Sequence, residues 1–151
     1  MRFITLLIST FFGIGYLPLM PGTFASLAFV LLYFFTFKKF PFYISLALLF
    51  SIFFIGVELS TMAEKILGKK DPRPVVIDEV LGQMISLFLI PARTVPIIIG
   101  FLLFRIFDVL KPYPCFEVQK IKGGWGIMLD DLFAGIWANI FLRIIIIIFK
   151  V

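Results

Sequence analysis

VPIIIGFLLFRIFDVLKPYP, residues 95–114, opens with ten uncharged residues, then sets Arg105, Asp108 and Lys111 at three-residue intervals before Pro112 and Pro114. An uncharged apolar run of this kind reads as a helix in hydrocarbon, and the proline pair marks where it must stop. Residues three apart lie on one helix face, so the three charges form a stripe at the end of the run. Taken alone, Arg105 and Asp108 could be a self-neutralising pair at a membrane interface.

The rest of the chain has the same character. Residues 42–57 also carry no charge, and the 151-residue sequence is 62% hydrophobic with only 15% charged residues. A soluble domain would balance its core with a larger polar surface. Apolar stretches at residues 3–17, 24–37, 42–57, 75–90, 95–110 and 132–149 give about five to six hydrophobic segments. The sequence therefore predicts an all-α, polytopic integral membrane bundle, one domain over residues 1–151. The stretch 24–37 is short for a crossing of about 20 residues and reads as tilted or only partly inserted. The first stretch is read as a membrane segment, since Pro21-Gly22 makes a poor signal-peptidase site.

The residue counts narrow the chemistry. With no histidine, imidazole metal sites, Ser-His-Asp hydrolysis and histidine nucleophiles are excluded. The single Cys115 allows no internal disulfide, and it sits in an apolar turn with no neighbouring base to activate it. The net charge of +5 fits loops facing anionic lipid and does not suggest a nucleic-acid groove.

Asp78 and Glu79 open the fourth stretch, Arg105 and Asp108 close the fifth, and Asp130 and Asp131 open the sixth. A chain that crosses between the start of one helix and the end of the next returns to the same side. The charges should therefore converge, joined by the Pro21-Gly22-Thr23 turn. On this side also fall Lys65, Lys69, Lys70, Arg73, Lys111, Lys120 and Lys122, against Arg2, Lys38, Lys39, Arg93 and Lys150 on the other. The bias makes the charged face cytoplasmic.

Each acidic pair could simply favour a helix N-terminus. Together, five carboxylates face only Arg105 and Lys111 as near cations, and burying them is costly unless something positive offsets it. Oxygen-only ligands select a hard cation such as Mg²⁺, which shares its shell with water and phosphate. Arg105 and Lys111 can clamp phosphate oxygens, and Gly123 and Gly124 of GGWG offer backbone N–H groups ahead of a helix. A flexible turn would use glycine there as well. Thr23 joins these phosphate-binding candidates, although for Thr23, Ser26, Gln83 and Asn139 interhelical hydrogen bonding competes with a substrate role.

Four motifs carry a resemblance: PGTFASL (21–27), IDEVLGQ (77–83), FRIFDVLKPYP (104–114) and GGWGIMLDDLFAG (123–135). In this order they are similar to the motifs of the phosphatidylglycerophosphatase A family. The resemblance implies a bacterial inner-membrane, multi-pass phosphatase that uses Mg²⁺ to convert the phospholipid phosphatidylglycerophosphate into phosphatidylglycerol. It assigns Asp78, Glu79, Asp108, Asp130 and Asp131 to metal binding and catalysis, and Arg105 and Lys111 to phosphate. Ile77 and Tyr113 stand where members often have tryptophan, which leaves the charged groups intact. The competing readings are a phosphatase of another lipid phosphate, a lipid phosphotransferase, whose D-G-x-x-A-R spacing is missing, and a cation channel. No oligomeric state is implied.

Overall fold

The computed structural model describes residues 2–36 and 39–150. Phe37 and Lys38, which figure in the second apolar stretch and in the charge count, lie outside the described residues. Those described form helices and connecting turns with no strand. In chain order these are α1 (Arg2–Ser9), a 3₁₀ turn (Ile14–Tyr16), α2 (Pro21–Phe35), α3 (Phe42–Leu67), α4 (Ile77–Ser86), α5 (Thr94–Leu110), α6 (Cys115–Val118) and α7 (Gly124–Phe149).

The punctuation is local chemistry. Pro21 occupies the first turn of α2, where its missing N–H costs nothing. Gly68 ends α3 in the left-handed conformation, at φ 66°. Lys111 closes α5 immediately before Pro112, which cannot continue a helix.

Among the described residues two helices, α3 and α7, at 26 residues each, are long and apolar enough to cross a membrane. Each is about 39 Å long, beyond the roughly 30 Å of hydrocarbon. The count of five to six segments is not confirmed, because two of the other apolar stretches form helices too short to span. α1 has 8 residues and α4 has 10, so at 1.5 Å per residue they reach about 12 and 15 Å. α1 breaks at Thr10 into turns, and the Val76 N–H donates to the Ser9 carbonyl at 2.9 Å, which holds the end of α1 beside the start of α4.

The short α4 is the centre of the molecule. Of its residues only Glu79 is not buried, and it is packed among α2, α3, α5 and α7. Gly82 and Gly135 let α4 and α7 meet backbone to backbone; a Cβ on Gly135 would press on the Gly82 carbonyl. On either side, Phe53, Val57, Leu81 and Met128 form one apolar cluster, and Phe104, Ala134 and Ala138 another.

A helix that stops inside a bundle leaves its last carbonyls without partners, and an apolar interior cannot hydrate them. Side chains from other helices supply the donors. Asn139 Nδ2 lies within 3.0 Å of the Ile85, Ser86 and Phe88 carbonyls. Arg143 donates to Phe88 at 3.0 Å and holds the Asn139 amide oxygen at 2.7 Å. The Tyr33 hydroxyl reaches the Leu87 and Ile90 carbonyls at 3.3 Å. The outer faces expose Phe50, Phe54, Ile55, Ile144, Ile147 and Ile148, the surface of a membrane-associated protein.

Candidate active site

The N-termini of α2 and α4, the C-terminus of α5 and the first turns of α7 meet around one cavity of about 310 Å³. It is lined by Thr23, Asp78, Glu79, Arg105, Asp108, Lys111, Asp130 and Asp131, with Gly22 and the loop residues Asp71 and Arg73. The convergence expected from the sequence is thus realised, although α4 is too short to make the crossing from which it was argued.

The floor is made of three buried carboxylates. Asp78, Asp130 and Asp131 are 8%, 4% and 3% exposed, and each offers an oxygen within 4.8 Å of the others. Asp130 accepts from the Lys111 ammonium at 2.5 Å and from the Asp131 N–H at 3.0 Å. Burial alone would push the Lys111 ammonium down, but the attraction and hydrogen bond of Asp130, with Asp131 and Asp108 beyond, raise its pKa above the usual lysine value. Lys111 is therefore a fixed cation at neutral pH. Arg105 pairs with Asp108 at 3.1 Å.

Several polar atoms at the cavity have no protein partner. Asp78 Oδ1, Asp131 Oδ2 and Glu79 Oε2 are buried acceptors without donors, and Arg105 Nη1 and the Thr23 hydroxyl are likewise unmatched. Leaving such groups buried and unpaired costs kilocalories each. A cation among the carboxylates and an anion beside Arg105 and Thr23 would give these atoms partners. Three carboxylate oxygens around one point, with no nitrogen or sulfur donor, fit a hard divalent ion. Glu79 and Asp108 line the same cavity outside that triad.

Gly22, in the first turn of α2, sits where only glycine leaves room for a neighbouring side chain. A Cβ there would overlap the Glu79 carboxylate, so the α2 backbone forms one wall against which that side chain rests.

Gly123 and Gly124 are placed elsewhere. The Gly124 N–H donates to Thr61 Oγ1 at 2.8 Å, and its Cα abuts the Val57 carbonyl. Neither glycine lines the cavity; the GGWG motif packs α7 closely on α3. Ser26 and Gln83 are fully buried, and Gln83 donates to Ser86 at 2.7 Å. Asn139 caps α4, so its role is interhelical. Cys115 is completely buried and lines none of this site. Sequence reading missed the participation of Gly22, Asp71 and Arg73 as wall and rim. The Pro-Gly pair and the basic loop were the available signals. A second cavity of about 360 Å³, under the end of α4, is bounded by Tyr33, Met84, Phe88 and Ile90 and has no carboxylate.

Comparison with known proteins agrees with this geometry. The sequence model of the family described as phosphatidylglycerophosphatase A matches residues 7–146. A phosphatidylglycerophosphatase A of Escherichia coli K12 is 38% identical over 134 residues, covering 86% of this chain and 76% of that protein. The Haemophilus influenzae phosphatidylglycerophosphatase A is 35% identical over 136 residues, 89% of this chain and 83% of that protein. A Bacteroides thetaiotaomicron protein with the provisional name phosphatidylinositol-3-phosphatase is 35% identical over 149 residues, 94% of this chain and 93% of its own length. No solved structure matches. The chain is a phosphatase of the phosphatidylglycerophosphatase A family.

Proposed function

We propose that this protein hydrolyses the terminal phosphate monoester of phosphatidylglycerophosphate, giving phosphatidylglycerol and phosphate, at the cytoplasmic face of a bacterial inner membrane that it crosses several times. The observation that carries the reading is the set of unpartnered carboxylate oxygens facing an unpartnered Arg105 nitrogen across one cavity. A cation and a phosphate dianion satisfy both halves at once.

Asp78, Asp130 and Asp131 would hold Mg²⁺. Bound there, the ion would neutralise phosphoryl oxygens and make a bound water more acidic. Arg105, held by Asp108, clamps the phosphate with its free nitrogen, and the Thr23 hydroxyl donates to another oxygen. Lys111 keeps Asp130 oriented and adds positive charge where the transition state gathers negative charge. Glu79, with one oxygen unpaired, takes a proton from the attacking water. That water's oxygen bonds to phosphorus, and the bond from phosphorus to the glycerol oxygen breaks. The departing oxygen takes a proton from water at the cavity mouth, and the proton held by Glu79 returns to the hydroxide so formed, which restores the carboxylate. Asp108 and Glu79, outside the triad, therefore serve positioning and proton transfer, a narrower metal set than five carboxylates.

The seven basic residues placed on the site's side by the sequence favour the cytoplasmic face. The name of the Bacteroides relative favours a second reading, another lipid with a phosphomonoester head group. Phosphate release by purified protein from phosphatidylglycerophosphate, phosphatidylinositol-3-phosphate and phosphatidic acid separates the two. The reading predicts fastest release from phosphatidylglycerophosphate, and no release from that lipid would overturn it.

A further inference from the structure

We propose that Arg73 reads a second anionic group of the substrate, a phosphodiester that joins the phosphomonoester head to the diacylglycerol, and that Arg73 thereby sets the preference for two-phosphate lipids. The inference deepens the reading above and rests on its assignment of this cavity to a lipid phosphomonoester.

Three cations line the cavity. Arg105 and Lys111 are each tied to a carboxylate that lines the cavity, Asp108 and Asp130 respectively. Arg73 is not: among the described residues no carboxylate lies within ion-pair distance of it. The nearby Asp71 instead meets the Gln119 amide at 3.4 Å. The Arg73 guanidinium is held in place by one bond, Nη2 to the Pro18 carbonyl at 2.6 Å. That leaves most of its five donors open, with a planar fork suited to two phosphate oxygens.

Its position fits a diester better than the reacting group. Pro18 lies in a turn whose neighbours Leu17, Leu19 and Met20 are 39%, 73% and 65% exposed, and Met20 itself lines the cavity. Exposed apolar residues at the mouth belong beside acyl chains. A lipid entering head first leaves its monoester at the aspartate floor and its diester at this rim, where the anchored, unneutralised cation waits. The substrates named for the relatives, phosphatidylglycerophosphate and phosphatidylinositol-3-phosphate, both combine a monoester with a diester.

The test compares Arg73→Gln and Arg73→Lys with the unaltered full-length protein in detergent. The measured quantity is kcat/KM for phosphatidylglycerophosphate, phosphatidylinositol-3-phosphate and phosphatidic acid, which has a monoester only. The inference predicts that the two-phosphate lipids are preferred by the unaltered protein. Arg73→Gln should lower that preference about tenfold, mostly through KM, and Arg73→Lys, which keeps charge without the fork, should lower it less. Equal loss on all three lipids means Arg73 only fastens the Pro18 turn and overturns the inference, as does an unchanged preference. If the protein acts on phosphatidylinositol-3-phosphate but not phosphatidylglycerophosphate, the proposed substrate fails while the role of Arg73 is still decided.

Discussion

Replacing Asn139 with leucine tests whether α4, which carries Asp78 and Glu79, is held by side-chain capping of its buried end. The substitution keeps approximate size and removes both donors. Of the three carbonyls that Asn139 reaches, Ile85 also accepts the Phe88 N–H at 3.0 Å and Phe88 also accepts Arg143 at 3.0 Å. Among the described residues the Ser86 carbonyl has Asn139 alone, at 3.0 Å. One carbonyl is therefore fully orphaned, at about 1–3 kcal/mol, and Arg143 loses its partner amide. Hydrogen bonds between membrane helices average about 0.6 kcal/mol, which holds the sum near 2 kcal/mol. For a chain of this size that is a fall in Tm of about 4–8 °C, measured by thermal unfolding in detergent. Ile147→Ala, on the exposed face of α7, should leave Tm within about 1 °C. An Asn139→Leu protein as stable as the unaltered one would refute the capping argument.

Other substitutions probe the site itself. Gly22→Ala should keep the fold, because its Cβ meets the movable end of Glu79, but lower kcat at least about tenfold by displacing that carboxylate; an unaltered kcat in steady-state phosphate release would remove Glu79 from proton transfer. Lys111→Met strips the buried Asp130 of its partner, so turnover should fall about a hundredfold with the protein still extracted from membranes as a monodisperse species; retained turnover would contradict the electrostatic role. Cys115→Ala removes a buried thiol outside the cavity and should retain more than about half the activity, whereas its loss would point to thiol chemistry.

The charged clusters were legible because each sits where an apolar run starts or stops. Asp78-Glu79, Arg105-Asp108 and Asp130-Asp131 interrupt hydrocarbon-like sequence, and nothing but a shared site compensates them together. The length of α4 was not legible. Residues 75–90 look like one apolar span, and the stop at Ser86 depends on Asn139, Arg143 and Tyr33, which are more than 50 residues away in sequence. GGWG misled for a related reason. Glycine ahead of a helix suits an anion and suits close helix packing equally, and only the position of Thr61 on α3 decides between them. Arg73 looked like one more basic loop residue until the fold placed it at the cavity rim.

If the Asp78, Asp130 and Asp131 cavity hydrolyses a lipid phosphomonoester with a divalent ion, turnover must require both that ion and Asp131. The direct measurement is phosphate release from phosphatidylglycerophosphate by purified unaltered protein and by Asp131→Asn, each with Mg²⁺ and with a chelator. Release by the unaltered protein with Mg²⁺ alone, and by neither protein otherwise, is the predicted result. Sustained release by Asp131→Asn, or by the unaltered protein in chelator, would contradict it.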